Sequence, residues 1–107
     1  MSDEVCEVFI NAPEVDWLIE FTRRLVNDRL VASGNVIEPI RSIYRWQGEI
    51  YDKPEARVVL HTRSSLVPHI IDRANREHPY EVPSVVAMTF FGNPAYVQWI
   101  IDETIEP

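Results

Sequence analysis

Two β-like limbs meet at Ile43-Tyr44-Arg45-Trp46-Gln47-Gly48-Glu49-Ile50-Tyr51 with almost nothing between them. Tyr44 and Trp46 precede the Gln47-Gly48 turn and Tyr51 follows it. The limbs run from about Val36 to Tyr44 and from about Ile50 to Arg63. At roughly 3.3 Å per residue each would span about 30 Å or more if unbroken. That is the width of a small domain, and the chain has only 107 residues. A hairpin of this reach is hard to bury in one such domain, so the arm is expected to reach another subunit. Pro39 and Pro54 stand roughly opposite each other across the turn, and a proline cannot donate to a ladder. Each limb is therefore expected to carry a bend or bulge, with Asp52-Lys53-Pro54-Glu55 interrupting the second.

The flanking segments alternate between strand and helix. Val5 to Ile10 reads as a strand buried on at least one face. From Glu14 to about Leu30 the apolar set Val15, Leu18, Ile19, Thr22, Leu25, Val26 and Leu30 forms one stripe of helical period. Pro13 suits the first turn of that helix. Ser33-Gly34-Asn35 reads as a break or bulge leading into the second strand. Ser64-Ser65 offers an N-cap for a second helix from Leu66 to about Glu77, with Val67, Ile70, Ile71 and Ala74 inward. His78-Pro79-Tyr80-Glu81-Val82-Pro83 cannot be helical and forms a stiff connector. Ser84 to Phe91 is an apolar strand that needs cover on both faces. Asn93-Pro94 opens a last helix with Val97, Ile100 and Ile101 inward.

The order β-α-β-β-α-β-α begins as the split βαβ pattern, an α+β ferredoxin-like sandwich with an extra C-terminal helix and a long central hairpin. Two helices cover only one face of its four-stranded sheet. The other face is expected to meet a further subunit. One domain is expected over 1–107.

Charge narrows the partners. The net charge of −7 and the scatter of nine Arg and one Lys leave no basic stripe for nucleic acid. No apolar run approaches the length of a membrane span. A single Cys6 and the acidic Met1-Ser2-Asp3-Glu4 point to the cytoplasm, without disulfides or a signal peptide. Cys6 shares strand parity with Val8 and Ile10 and reads as a buried structural thiol.

No phosphate-cradling loop, Cys-x-x-Cys or His-Glu-x-x-His is present, and the only glycines are Gly34, Gly48 and Gly92. No catalytic residues are expected. The imidazoles are His61, His69 and His78, with no i, i+4 pair among them, so a metal site would be assembled in space. His61 is expected mid-strand and half-buried, and His69 on a solvated helix face. His78, ending the second helix, is open to capping, packing or a ligand role. Tyr44, Trp46, Tyr51, Tyr80, Tyr96 and Trp99 supply packing surface or a partly aromatic cleft, with Tyr80 and Trp46 the best placed for a cleft.

Asn11-Ala12-Pro13, the Ser42 to Gly48 turn, Thr62-Arg63-Ser64-Ser65, His78-Pro79-Tyr80-Glu81-Val82-Pro83 and Gly92-Asn93-Pro94-x-Tyr96-x-x-Trp99 occur in this order. Together they resemble the CutA divalent-cation-tolerance family over nearly the whole chain. The resemblance implies a ferredoxin-like homotrimer, similar in assembly to PII-type signalling proteins, with hairpins packed across subunit boundaries. It further implies a role in the response to metal ions, with copper (Cu2+) or another divalent cation, or a small ligand, bound near the interfaces. His78 matches a position implicated in metal binding. Ile10 and Ser33 stand where some members carry cysteine, and His61 replaces the usual lysine. Three readings follow. One is a non-enzymatic trimer binding metal or a small ligand. The second is a signalling or scaffold trimer that presents a surface to a protein partner and has no metal role. The third is a small enzyme whose cleft is lined by Tyr44, Trp46, His61, Tyr80 and Glu81.

Overall fold

The computed structural model describes residues 3–107. Eight elements follow in order: β1 (Val5–Ala12), α1 (Val15–Asn27), β2 (Ser33–Trp46), β3 (Glu49–Arg63), a 3-10 turn (Ser64–Leu66), α2 (Val67–Glu77), β4 (Val85–Thr89) and α3 (Pro94–Glu103). The strands form one antiparallel sheet in the order β2-β3-β1-β4. This is the expected ferredoxin-like α+β arrangement.

Alternation decides which face is core. Cys6, Val8, Ile10 and Ala12 pair across the ladder with Thr62, Leu60, Val58 and Ala56, and all eight are buried. Paired residues share a face, so this set lies under α1 and α2. Leu18, Phe21, Thr22 and Leu25 of α1 and Ile70 and Ala74 of α2 close over it. Gly34 sits here because a Cβ would lie 2.5 Å from Thr22 Cγ2. At up to about 3 kcal/mol for each fully buried large side chain, this layer dominates the fold's stability.

The helix starts differ from those expected. Ser64 and Ser65 do not cap α2; they open the 3-10 turn, and the Ser65 hydroxyl donates to the Asp3 carboxylate. A 3-10 turn satisfies a chain entering a helix without a side-chain cap. Pro13 lies just outside α1, whose N-cap is Glu14. Ser33-Gly34-Asn35 is neither a break nor a bulge but the first part of β2, paired to His61, Leu60 and Val59.

The arm also departs from expectation in one limb. The β2–β3 ladder slips once, between Ile37 and Ile40, where Glu38 and Pro39 of β2 oppose Ala56 alone and the Glu38–Pro39 peptide is cis. β3 is unbroken, with Pro54 opposite Arg41. β1 stops pairing at Ala56. Pro54 therefore lies where β3 has a free edge, and a missing N–H facing that edge disrupts nothing. The Gln47-Gly48 turn takes positive φ at both residues (50° and 82°), the geometry that follows strand twist in a two-residue hairpin. The arm stretches the molecule to 46 Å along an axis against 26 and 23 Å across. Ile43 and Ile50 on it are 68% and 66% exposed.

The second sheet face is only partly covered. α3 crosses one end of it, tied down where Arg63 of β3 donates to the Thr104 hydroxyl at 2.9 Å and the Ile101 carbonyl at 2.7 Å. Val86 and Met88 of β4, opposite Phe9 and Glu7 of β1, stay 54% and 61% exposed. β4 is an edge strand of five residues, shorter than the expected Ser84–Phe91 run, and the described residues leave Val86 and Met88 on it more than half exposed.

Candidate functional site

A concavity of about 830 Å³ opens where the arm leaves the sheet. Its floor is the β3 run Tyr51, Lys53, Glu55 and Arg57. Its walls are Ile40 to Tyr44 and Trp46 of β2, Asn11 at the end of β1, and the connector Pro79–Val82. Strand alternation places every second residue of β3 on the same face, so four polar or aromatic groups line up along one groove.

Tyr44 and Tyr51 pair across the ladder with rings stacked 5.3 Å apart. The Lys53 ammonium lies 5.8, 5.8 and 5.3 Å from the ring centres of Tyr44, Tyr51 and Tyr80, a cation held by aromatic faces. Hydrogen bonding to the Tyr44 and Tyr80 phenol oxygens holds its pKa well above the usual lysine range. Lys53 is therefore charged at neutral pH and unsuited to nucleophilic or base chemistry. Tyr80 donates its hydroxyl to the buried Glu55 carboxylate. Burial first, and then that hydrogen bond, push the phenol above its ordinary pKa, so it too keeps its proton. Arg57 donates from Nε to Asn11 Oδ1 at 2.8 Å, which orients its guanidinium beside the groove.

His78 stands behind this wall. Its Nε2–H donates to the Asn11 carbonyl at 2.7 Å, and its Nδ1 accepts the Tyr80 N–H at 3.0 Å. The ring also packs edge-on to Trp17, 5.0 Å between centres. Burial pushes its pKa below the usual 6.5 despite the Asn11 hydrogen bond. A neutral imidazole with one donor and one acceptor is fully used by these two backbone groups. It fixes the Pro79–Val82 wall to the end of β1 and has no free nitrogen for a metal ion in this arrangement. Among the described residues no group of three or more His, Cys, Asp or Glu side chains converges.

The expected cleft residues thus separate. Tyr44, Trp46, Tyr80 and Glu81 do line one groove. His61 does not. It lies farther down β3, with Nε2 2.9 Å from Glu7 Oε2, Nδ1 2.6 Å from the Tyr96 hydroxyl, and its ring 4.8 Å from Phe90. His69 is exposed on α2. Cys6 is buried, and burial raises its thiol pKa. Lys53, Glu55, Arg57 and Asn11 were not among the expected site residues. Their signal was the period-two run Tyr51, Lys53, Glu55, Arg57, hidden by reading Asp52 to Glu55 as an interruption.

Residues 6–103 match the model of the family described as CutA1 divalent ion tolerance protein. The chain belongs to that family. It is 34% identical over 98 residues to the divalent-cation tolerance protein CutA of Thermus thermophilus, covering 91% of this chain and 95% of that one. It is 38% identical over 97 residues to mouse Protein CutA, covering 90% of this chain. The chain spans about half the length of that mouse relative (55%). Among solved structures, CutA1 from Oryza sativa superimposes with a TM-score of 0.94 at 25% identity, covering 99% of this chain and 98% of that one.

Proposed function

We propose that this CutA1-family chain is a non-enzymatic, cytoplasmic homotrimer that takes part in the response to divalent metal ions and binds a small ligand in the groove at the base of its arm. The observation that carries the reading is the arm and the open sheet face taken together. Ile43 and Ile50 on the arm and Val86 and Met88 on β4 are more than half exposed within one chain. An apolar surface this extended is characteristic of an association surface. Three copies, each reaching over the next, would cover it with one closed, cyclic contact. The groove lies along the same arm, so the boundary between subunits would pass beside it.

A divalent ion belongs to this reading through the family's described role, with copper the first candidate to test. The chain's own donors do not assemble a site around His78, so the ion is proposed to sit between subunits. Light scattering tests the assembly: a mass near three times the 12.5 kDa of one chain is expected, and a monomer overturns it. Thermal melts with copper, zinc or nickel test the metal. A ligand that binds only the folded state raises the melting temperature by mass action. No shift at millimolar metal removes the metal part and leaves the groove.

A further inference from the structure

The groove's charge is opposite to that of the protein. The chain carries −7 overall, yet the groove lining has three cations, Arg41, Lys53 and Arg57, against two carboxylates, Glu55 and Glu81. Arg41 is paired with Asp52, and Glu55 is held by the Tyr80 hydroxyl. Six of the ten basic residues have a carboxylate within ion-pair distance: Arg23, Arg24, Arg29, Arg41, Arg73 and Arg76. Arg63 is committed to carbonyls and the Thr104 hydroxyl. Among the described residues, Arg45, Lys53 and Arg57 have no carboxylate partner; Arg45 is exposed beside the turn and outside the groove lining, whereas Lys53 and Arg57 both line the groove. In an acidic protein two uncompensated cations on one strand face form a local positive potential that draws an anion in from solvent.

The surroundings limit what that anion is. Lys53 is held in place by three tyrosine rings, so its ammonium is pre-positioned and little ordering entropy is lost on binding. The groove also offers apolar surface, with Tyr51 and Val82 exposed beside the cations. A volume of about 830 Å³ suits a small organic molecule and is far more than an inorganic ion needs. We propose that the groove is a binding site for a planar organic anion, whose carboxylate or phosphate meets Lys53 and Arg57 while its flat apolar body rests on Tyr51 and Val82.

The inference rests on the groove reading above and names its ligand class. Calorimetric titration of the protein in its native assembly with 2-naphthoate, 2-naphthyl phosphate and the uncharged 2-naphthylmethanol tests it. Both anions are expected to bind at least tenfold more tightly than the alcohol, and the tighter of the two identifies the head group. Lys53→Met is expected to weaken the anions tenfold or more and leave the alcohol unchanged, while Lys53→Arg retains binding. Equal binding of all three probes, or none at millimolar concentration, overturns the proposal. So does a Lys53→Met variant that binds the anions as the parent does, its mass and melting temperature being unchanged. The mass and metal measurements above are read on the unliganded protein, so a trimer that rejects the anions fails only the ligand class.

Discussion

Glu7 of β1 and His61 of β3 face each other across the ladder, with carboxylate and imidazole 2.9 Å apart on the sheet face away from α1 and α2. Tyr96 of α3 closes on the other ring nitrogen at 2.6 Å, so one imidazole joins three elements. The His61 and Glu7 side chains are 22% and 37% exposed, which screens the pair. A double-mutant cycle with Glu7→Gln and His61→Ala is expected to give a coupling of about 0.5–1 kcal/mol in chemical denaturation. A coupling several times larger would mean that the pair is closed off from water by something outside this chain. Because His61 lies away from the groove, naphthoate binding by the same variants should match the parent.

His78 ties stability to pH. Its folded pKa lies below the ordinary 6.5, because burial disfavours the cation. The unfolded chain therefore takes up a proton first as pH falls. The contribution is complete above pH 6.5 and is lost as pH drops through the depressed folded value. Melts from pH 7.5 to 5 should show this slope in the parent and lose its His78 part in His78→Phe. That variant also leaves the Asn11 carbonyl and the Tyr80 N–H without their partner, at about 1–3 kcal/mol each at every pH. A parent and variant with parallel pH profiles would show that the imidazole is not held neutral.

Gly34 marks a close approach of β2 to α1. An added Cβ meets Thr22 Cγ2 at 2.5 Å, Leu60 Cδ2 at 3.1 Å and Val58 Cγ2 at 3.3 Å. Gly34→Ala is expected to destabilise the fold by about 1–3 kcal/mol through overpacking. Urea titration of the variant checks this, and an unchanged midpoint would mean that α1 shifts freely away from the sheet.

Trp46 tests the arm. It stands last in β2 before the turn, paired with Glu49 and outside the buried core. Trp46→Ala is expected to leave the secondary structure intact by circular dichroism. It should weaken assembly by about 2 kcal/mol or more per contact, as an aromatic anchor does. Light scattering over a dilution series reads the loss. An assembly that survives dilution unchanged would show that Trp46 serves the groove and not the interface.

Much of the fold was readable because period and punctuation agree along the chain. The Leu18, Thr22, Leu25 stripe placed α1 over the sheet, and Gln47-Gly48 placed the turn. Phe21 escaped that stripe. It is fully buried, stacked 4.8 Å from Trp17, because α1 packs a wider face than one row of residues. Pro54 was misread for another reason. A proline's cost depends on what lies beside the strand, and only the register shows that β1 has already ended there.

The groove shows the same division. Tyr44, Trp46, Tyr80 and Glu81 were legible because aromatics at a turn and in a proline-bound connector have few core positions open to them. The Tyr51–Arg57 run was obscured by the prolines. His61 was assigned to the same cleft, yet eight residues separate it from Lys53 along a straight strand, a distance of about 26 Å. The sequence by itself determined the elements, their order and the arm, since these follow from local period, turn chemistry and length. Only the tertiary structure decided which polar side chains meet. That depends on register and on the path of the connector, which bring Tyr80 to Glu55, 25 residues away, and to Lys53, and bring His78 to Asn11, 67 residues away.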